Sequence, residues 1–242
     1  MTAIQIQGLA KAYGDVTAID DLSLSVAEGE LFGLLGPNGA GKTTTMKVLT
    51  GQLVPERGQV TVLGVDPVEE STAVRERVGI LPEKESPPSF MTPREYFHFV
   101  GAVRGIDEAT VDERIETWAD RLAFSEKLDT MSTDLSRGQQ QKLMIAGAFL
   151  HEPAVVVIDE PLANLDPIVQ ERVKRFLREY REAGNTLLIT THDVDVAAEL
   201  CSRVGIMYGG ELVADVRPSE LSADERLLDV FLNRVDATGD RR

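Results

Sequence analysis

Between the apolar run Leu31-Phe32-Gly33-Leu34-Leu35 and the helix-like run Thr44-Thr45-Met46-Lys47-Val48-Leu49 stands Gly36-Pro37-Asn38-Gly39-Ala40-Gly41-Lys42-Thr43, a complete G-x-x-x-x-G-K-[ST] pattern. A strand before and a helix after are the setting in which this pattern carries meaning. The glycines let successive backbone N–H groups turn toward one anion, and the N-terminus of the following helix adds partial positive charge. Lys42 has the reach to meet β- and γ-phosphates, and the Thr43 hydroxyl suits a Mg²⁺ position. Residues 36–43, with Thr44, therefore predict a nucleoside triphosphate site, and an α/β sheet that presents the loop at a strand end.

Composition limits what surrounds that loop. With 242 residues, 43% of them hydrophobic, the chain can enclose a sizeable core, as one domain or as a core with a subdomain. The longest apolar stretch, Leu143 to Leu150, is far short of the roughly 20 residues that cross a bilayer. The start, Met1 to Ile6, has neither a basic region nor an apolar one, so no signal peptide and a cytosolic protein are expected. The single cysteine, Cys201, excludes an intrachain disulfide. Among Ala197, Ala198 and Leu200 it reads as a small buried residue rather than a nucleophile. The net charge of −15, with no basic stripe, argues against a nucleic-acid partner. Only seven of the 25 cationic residues are lysine, against 40 Asp and Glu. Such a surface suits a halophilic cytoplasm, where a Debye length of about 3 Å at molar salt screens self-repulsion.

Along the chain, Ala3 to Leu9 and Thr17 to Val26 alternate apolar and polar residues, as half-buried antiparallel strands do, with a turn at Tyr13-Gly14-Asp15. Gln59 to Leu63 and Val78 to Leu81 predict short strands. From Pro93 to Leu150 helical spacing replaces strand signals, which predicts a helical insertion. Val155 to Ile158 is an unbroken β-branched run, as in a strand buried on both faces. A helix over 167–183, a strand over 186–190, a helix over 194–200 and a hairpin of 204–207 with 211–216 around Gly209-Gly210 complete the pattern. The result is an α/β core with a central, mostly parallel sheet.

Three further segments carry chemistry. Asp159 and Glu160 end the buried run where α/β sheets place ligands. Asp159 suits a Mg²⁺ and its water shell, and Glu160 suits orientation and deprotonation of an attacking water. Leu135-Ser136-Arg137-Gly138-Gln139 opens a helix that Ser136 can cap, with Gly138 leaving backbone amides open to a phosphate. His192 follows the strand over 186–190 and emerges at the same sheet edge as Asp159.

The phosphate loop, Leu-Ser-x-Gly-Gln, Asp-Glu-Pro, Leu-Asp and Thr-His-Asp, in that order, resemble the nucleotide-binding subunit of an ABC transporter. The resemblance covers nearly the whole chain. It implies a RecA-like P-loop core over 1–83 and 152–216 with an N-terminal antiparallel β-subdomain, an inserted α-helical subdomain over 84–151, and a C-terminal helical tail over 217–242. It implies ATP and Mg²⁺ as ligands, with Tyr13 stacking on adenine beside Val16, and His192 contacting the γ-phosphate. It also implies a homodimer or heterodimer packed head to tail. Each ATP would then meet Gly36, Pro37, Asn38, Gly39, Ala40, Gly41, Lys42, Thr43 and Thr44 of one protomer and Ser136, Gly138 and Gln139 of the other, with Asp166 in the loop that links the sites.

Glu83 stands where the family usually has Gln and would still offer an oxygen to Mg²⁺. Arg137 alters the common Ser-Gly-Gly-Gln pattern, and Ala163-Asn164 replaces a frequent Ser-Gly, a change to backbone freedom. The Leu-Pro-Glu form, the Ser-Arg-Gly form and the tail Leu228 to Leu232 resemble subunits that serve export permeases. An integral-membrane permease would dock near Glu83 to Phe97, where Pro87-Pro88-Ser89-Phe90 and Tyr96-Phe97-His98-Phe99 offer aromatic side chains, placing the subunit at the cytoplasmic face of the membrane. A soluble ABC ATPase of cofactor or metal-centre assembly would share every motif. No Asn-Lys-x-Asp supports GTP, and the loop glycines do not form the G-x-G-x-x-G of dinucleotide enzymes.

Overall fold

The computed structural model describes residues 1–82, 86–222 and 225–239. β1 (Thr2–Tyr13) and β2 (Val16–Ala27) form an antiparallel hairpin turned at Gly14-Asp15. Both strands outrun the alternation that marks them. Register shifts after Ile6 and Leu9 let the ladder continue past the point where strict alternation breaks. β3 (Leu31–Leu35) enters the second sheet and α1 (Lys42–Leu49) leaves it. β4 (Arg57–Val62) returns to pair with β1 and closes a three-stranded sheet. α2 (Ser71–Arg77) is a short helix that no periodicity announces, and it leads into β5 (Val78–Leu81).

The helical stretch follows as α3 (Pro93–Val103), α4 (Glu108–Arg121) and α5 (Arg137–Phe149), with no strand among its described residues. Then come β6 (Val155–Asp159), α6 (Pro167–Glu182), β7 (Thr186–Thr191), α7 (Val194–Leu200), β8 (Arg203–Tyr208), β9 (Glu211–Val216) and α8 (Leu227–Gly239). The second sheet has the order β5-β6-β7-β3-β8-β9. Its strand pairs are parallel except β8 with β9. Every residue of β3, β6 and β7 is buried, because interior parallel strands are covered on both faces. The order brings the C-terminal ends of β6, β7 and β3 side by side, and that edge is where such sheets hold ligands. Among the described residues no helix is long and apolar enough to cross a membrane.

The helices α3 to α5 have no core of their own. One apolar cluster runs from Phe97, Ile115 and Trp118 through Phe149 and Phe176 to Leu31, Val156 and Leu187 of the sheet. At its centre the Phe176 ring meets those of Trp118 and Phe149 edge to face, each at 4.8 Å between centroids. Such pairs add about 0.5–1.5 kcal/mol beyond their buried area.

This cluster takes two of the aromatic side chains expected on the docking surface. Pro93, Phe97 and Gly101 recur at helical spacing and turn the same face of α3 inward, so Phe97 is fully buried. Tyr96 packs against the same cluster. Phe90 and Phe99 are the aromatic side chains of that stretch left exposed.

His151 lies just beyond α5, and both its ring nitrogens are sealed from solvent. Burial, reinforced by the positive charge of Arg104, pushes its pKa down to about 4. The unfolded imidazole titrates near 6.5, so below that pH the unfolded chain binds the proton more readily. Stability is therefore full above about pH 6.5 and falls as pH drops toward about 4. Urea unfolding at about pH 7 and pH 5 should show the parent losing stability that His151→Leu keeps. Equal losses in both proteins would remove His151 from the acid response.

Candidate functional site

The phosphate loop joins β3 to α1, and its shape depends on two glycines. Gly41 is the N-cap of α1 with φ +105°, a region that side chains rarely adopt, and a Cβ there would strike the Ala18 carbonyl. A Cβ on Gly36 would strike the carbonyl of Met207 on β8. No side chain caps α1, so its first N–H groups point into the loop, as an anion site needs. Lys42 is buried, and its Nζ donates to the carbonyls of Gly36 at 2.7 Å and Pro37 at 3.1 Å. Its ammonium is thereby held over the loop's mouth.

Asp159 ends β6 almost fully buried. Its Oδ2 accepts from the Thr43 hydroxyl at 2.8 Å, and its Oδ1 accepts from the Thr190 hydroxyl on the neighbouring strand β7. A single carboxylate beside a threonine hydroxyl fits Mg²⁺, which takes one or two protein oxygens and draws the rest from water and phosphate. Thr43 and Asp159 would hold it. Glu83, the third expected metal residue, lies outside the described residues, as does the boundary expected at 83 and 84.

Glu160 takes φ +52°, which costs a non-glycine residue of order 1 kcal/mol and turns the chain sharply at the sheet edge. Its Oε1 accepts the His192 backbone N–H at 3.0 Å and lies 2.6 Å from His192 Nδ1, while Oε2 accepts from the Thr191 hydroxyl at 3.3 Å. The carboxylate is only 13% exposed and the imidazole 61% exposed. A fixed carboxylate is thus joined to a histidine that reaches into solvent.

These groups line one cleft of about 360 Å³, together with Asn38, Gly39, Ala40, Gly41, Lys42, Thr43 and Thr44. Tyr13 and Val16 stand at its rim, exposed and facing the same space. Sequence reasoning missed Thr17 and Ala18, which also line the cleft, and the hydroxyls of Thr190 and Thr191 behind it. Only the position of Val16 at the start of β2 hinted at the first two.

Ser136, Gly138, Gln139 and Asp166 are not among the residues lining this cleft. Ser136 caps α5 in a reciprocal box: its hydroxyl accepts from the Gln139 N–H at 3.3 Å, and the Gln139 side chain accepts from the Ser136 N–H at 2.9 Å. Asp166 caps α6 by accepting from the N–H groups of Ile168 and Val169. Asn164 has φ +61°, a conformation that asparagine tolerates better than other side chains, and its carbonyl lies 2.9 Å from where a Cβ on Gly138 would be. The two loops pack on each other and present an exposed Ser136. Cys201 is buried against β3, and burial pushes its thiol well above the ordinary range, so it is not a nucleophile.

The model of the ABC transporter family matches residues 19–163. Nod factor export ATP-binding protein I of Bradyrhizobium diazoefficiens is 36% identical over 219 residues, which are 90% of this chain and 72% of that protein. A probable multidrug ABC transporter ATP-binding protein of Escherichia coli is also 36% identical, over 92% of this chain, and the match spans 38% of its own length. A solved ATP binding subunit of an ABC transporter superposes with a TM-score of 0.89 at 26% identity, covering 96% of this chain and 99% of that one.

Proposed function

We infer the function from one premise: this chain belongs to the ABC transporter family. It acts as the ATP-hydrolysing subunit that drives a separate membrane permease, in the export direction, as a peripheral protein of the cytoplasmic face. The name of the Bradyrhizobium relative supports the direction.

The observation that carries this reading is a division of labour within the chain. Lys42, Asp159, Glu160 and His192 converge on one cleft, whereas the exposed Ser136 is held elsewhere by its own cap. The site is a half-site. A second nucleotide-binding chain, set head to tail, brings its Ser136, Gly138 and Gln139 over the γ-phosphate, and the C2 arrangement completes two sites at once.

In the closed pair, Lys42 turns from the Gly36 and Pro37 carbonyls to the β- and γ-phosphates. Glu160 accepts the proton of the attacking water, and His192 contacts the γ-phosphate from its anchor on Glu160. Thr43 and Asp159 would hold Mg²⁺, which would supply neutralisation of phosphate charge. Closure moves the permease, and product release reopens the pair. If two chains share each site, phosphate release per chain should rise with protein concentration. Mixing in inactive Ser136→Arg chains should poison the parent. Activity per chain that is independent of concentration and unaffected by the mixture would refute the shared site. Detergent extracts of native membranes should yield a multi-spanning protein with the tagged chain.

A further inference from the structure

Thr190 lies in the most buried part of the sheet, one residue after the apolar run Leu187 to Ile189, and is itself 0% exposed. A hydroxyl there needs a partner. In the parallel register of β6 and β7 it stands opposite Asp159, and its hydroxyl donates to Asp159 Oδ1. Its backbone carbonyl accepts the N–H of Glu160 at 3.1 Å. One residue thus anchors both the carboxylate of Asp159 and the backbone of Glu160.

The two hydrogen bonds on Asp159 are not equivalent. Thr43, which donates to Oδ2 at 2.8 Å, belongs to the phosphate loop and has an oxygen suited to a divalent cation. That oxygen meets a cation through a lone pair, so Thr43 can keep donating to Oδ2, but its position follows the loop. The bond from Thr190 comes from the rigid interior of the sheet and stays. We propose that Thr190 is a positioning residue that keeps Asp159 aimed at the divalent cation from the fixed interior of the sheet. The proposal rests on the reading of the cleft as a Mg-ATP site. Partners behind a metal ligand typically contribute 10–100-fold in metal affinity.

Thr190→Val keeps the shape and the strand preference and removes only the donor, whereas Thr190→Ser keeps the donor. The probe is Mn²⁺, added to the full chain with a non-hydrolysable ATP analogue and followed by electron paramagnetic resonance. Thr190→Val should weaken Mn²⁺ uptake by about 10–100-fold and raise the Mg²⁺ concentration for half-maximal turnover by a similar factor. Analogue affinity in EDTA should be unchanged, and Thr190→Ser should bind Mn²⁺ as the parent does. Parental Mn²⁺ affinity in a folded Thr190→Val would overturn the proposal. So would equal losses in the Val and Ser variants, which would mean that strand packing matters and not the hydroxyl. If the parent itself takes up no Mn²⁺ with the analogue, the Mg-ATP reading fails first, and the proposal fails with it.

Discussion

Glu160→Gln should cut ATP turnover by about 10²–10⁴-fold, the usual worth of a positioned base, or roughly 3–5 kcal/mol of barrier. The substitution is nearly isosteric. The amide oxygen can still accept the His192 N–H that Oε1 now accepts at 3.0 Å, so the local frame survives. What is lost is the basic carboxylate and a negative charge facing the γ-phosphate. ATP binding should therefore persist, and the closed pair should accumulate because hydrolysis no longer opens it. Light scattering behind size-exclusion chromatography, with and without Mg-ATP, should show a dimer in Glu160→Gln that disappears in Glu160→Gln combined with Ser136→Arg. Turnover near the parental rate would remove Glu160 from the chemistry. A dimer that survives Ser136→Arg would show that the pair closes through another surface.

Lys42→Ala should abolish measurable turnover and weaken ATP binding by roughly 10–100-fold, from the 1.5–3 kcal/mol of a hydrogen bond to a charged group. Lys42 is the loop's one side-chain cation, and its ammonium is already held at the loop by the Gly36 and Pro37 carbonyls. Isothermal titration with a non-hydrolysable analogue gives the affinity. A melting curve reports whether loss of the two carbonyl contacts has loosened the loop. Unchanged affinity and unchanged turnover together would end the assignment of this loop to nucleotide.

What could be read from the sequence divides along a physical line. The phosphate loop, the cap of α5 and the carboxylates after β6 were legible because each depends on neighbours within a few residues. Spacing of glycines, a serine three places before a glutamine, and acids after a β-branched run are local signals. Asn164 was expected to change backbone freedom where the family frequently has glycine, and only the structure shows that it takes the left-handed conformation. The contact of Thr190 with Asp159 was not legible. It spans 31 residues and exists only because β6 and β7 pair in one particular register. The inward turn of Phe97 was hidden in a different way. Tyr96, Phe97 and Phe99 are all aromatic, and only the packing of α3 on α4 and α5 decides which of them is covered. The added length of β1 and β2 came from bulges, which no alternation pattern reports.

The strand order has a consequence for synthesis. β3, which carries the phosphate loop, lies between β7 and β8 in the sheet. Those neighbours are made about 150 residues later, roughly 10–30 s at ordinary translation rates. Until then β3 leaves the ribosome with both hydrogen-bonding edges open and an apolar side chain at every position but Gly33. A nascent chain of this kind is a template for wrong strand pairing. The hairpin of β1 and β2 can form at once, but it belongs to the other sheet and does not pair with the edges of β3. The candidate nucleotide site is therefore among the last features to be completed, and its strand is the one left longest without partners.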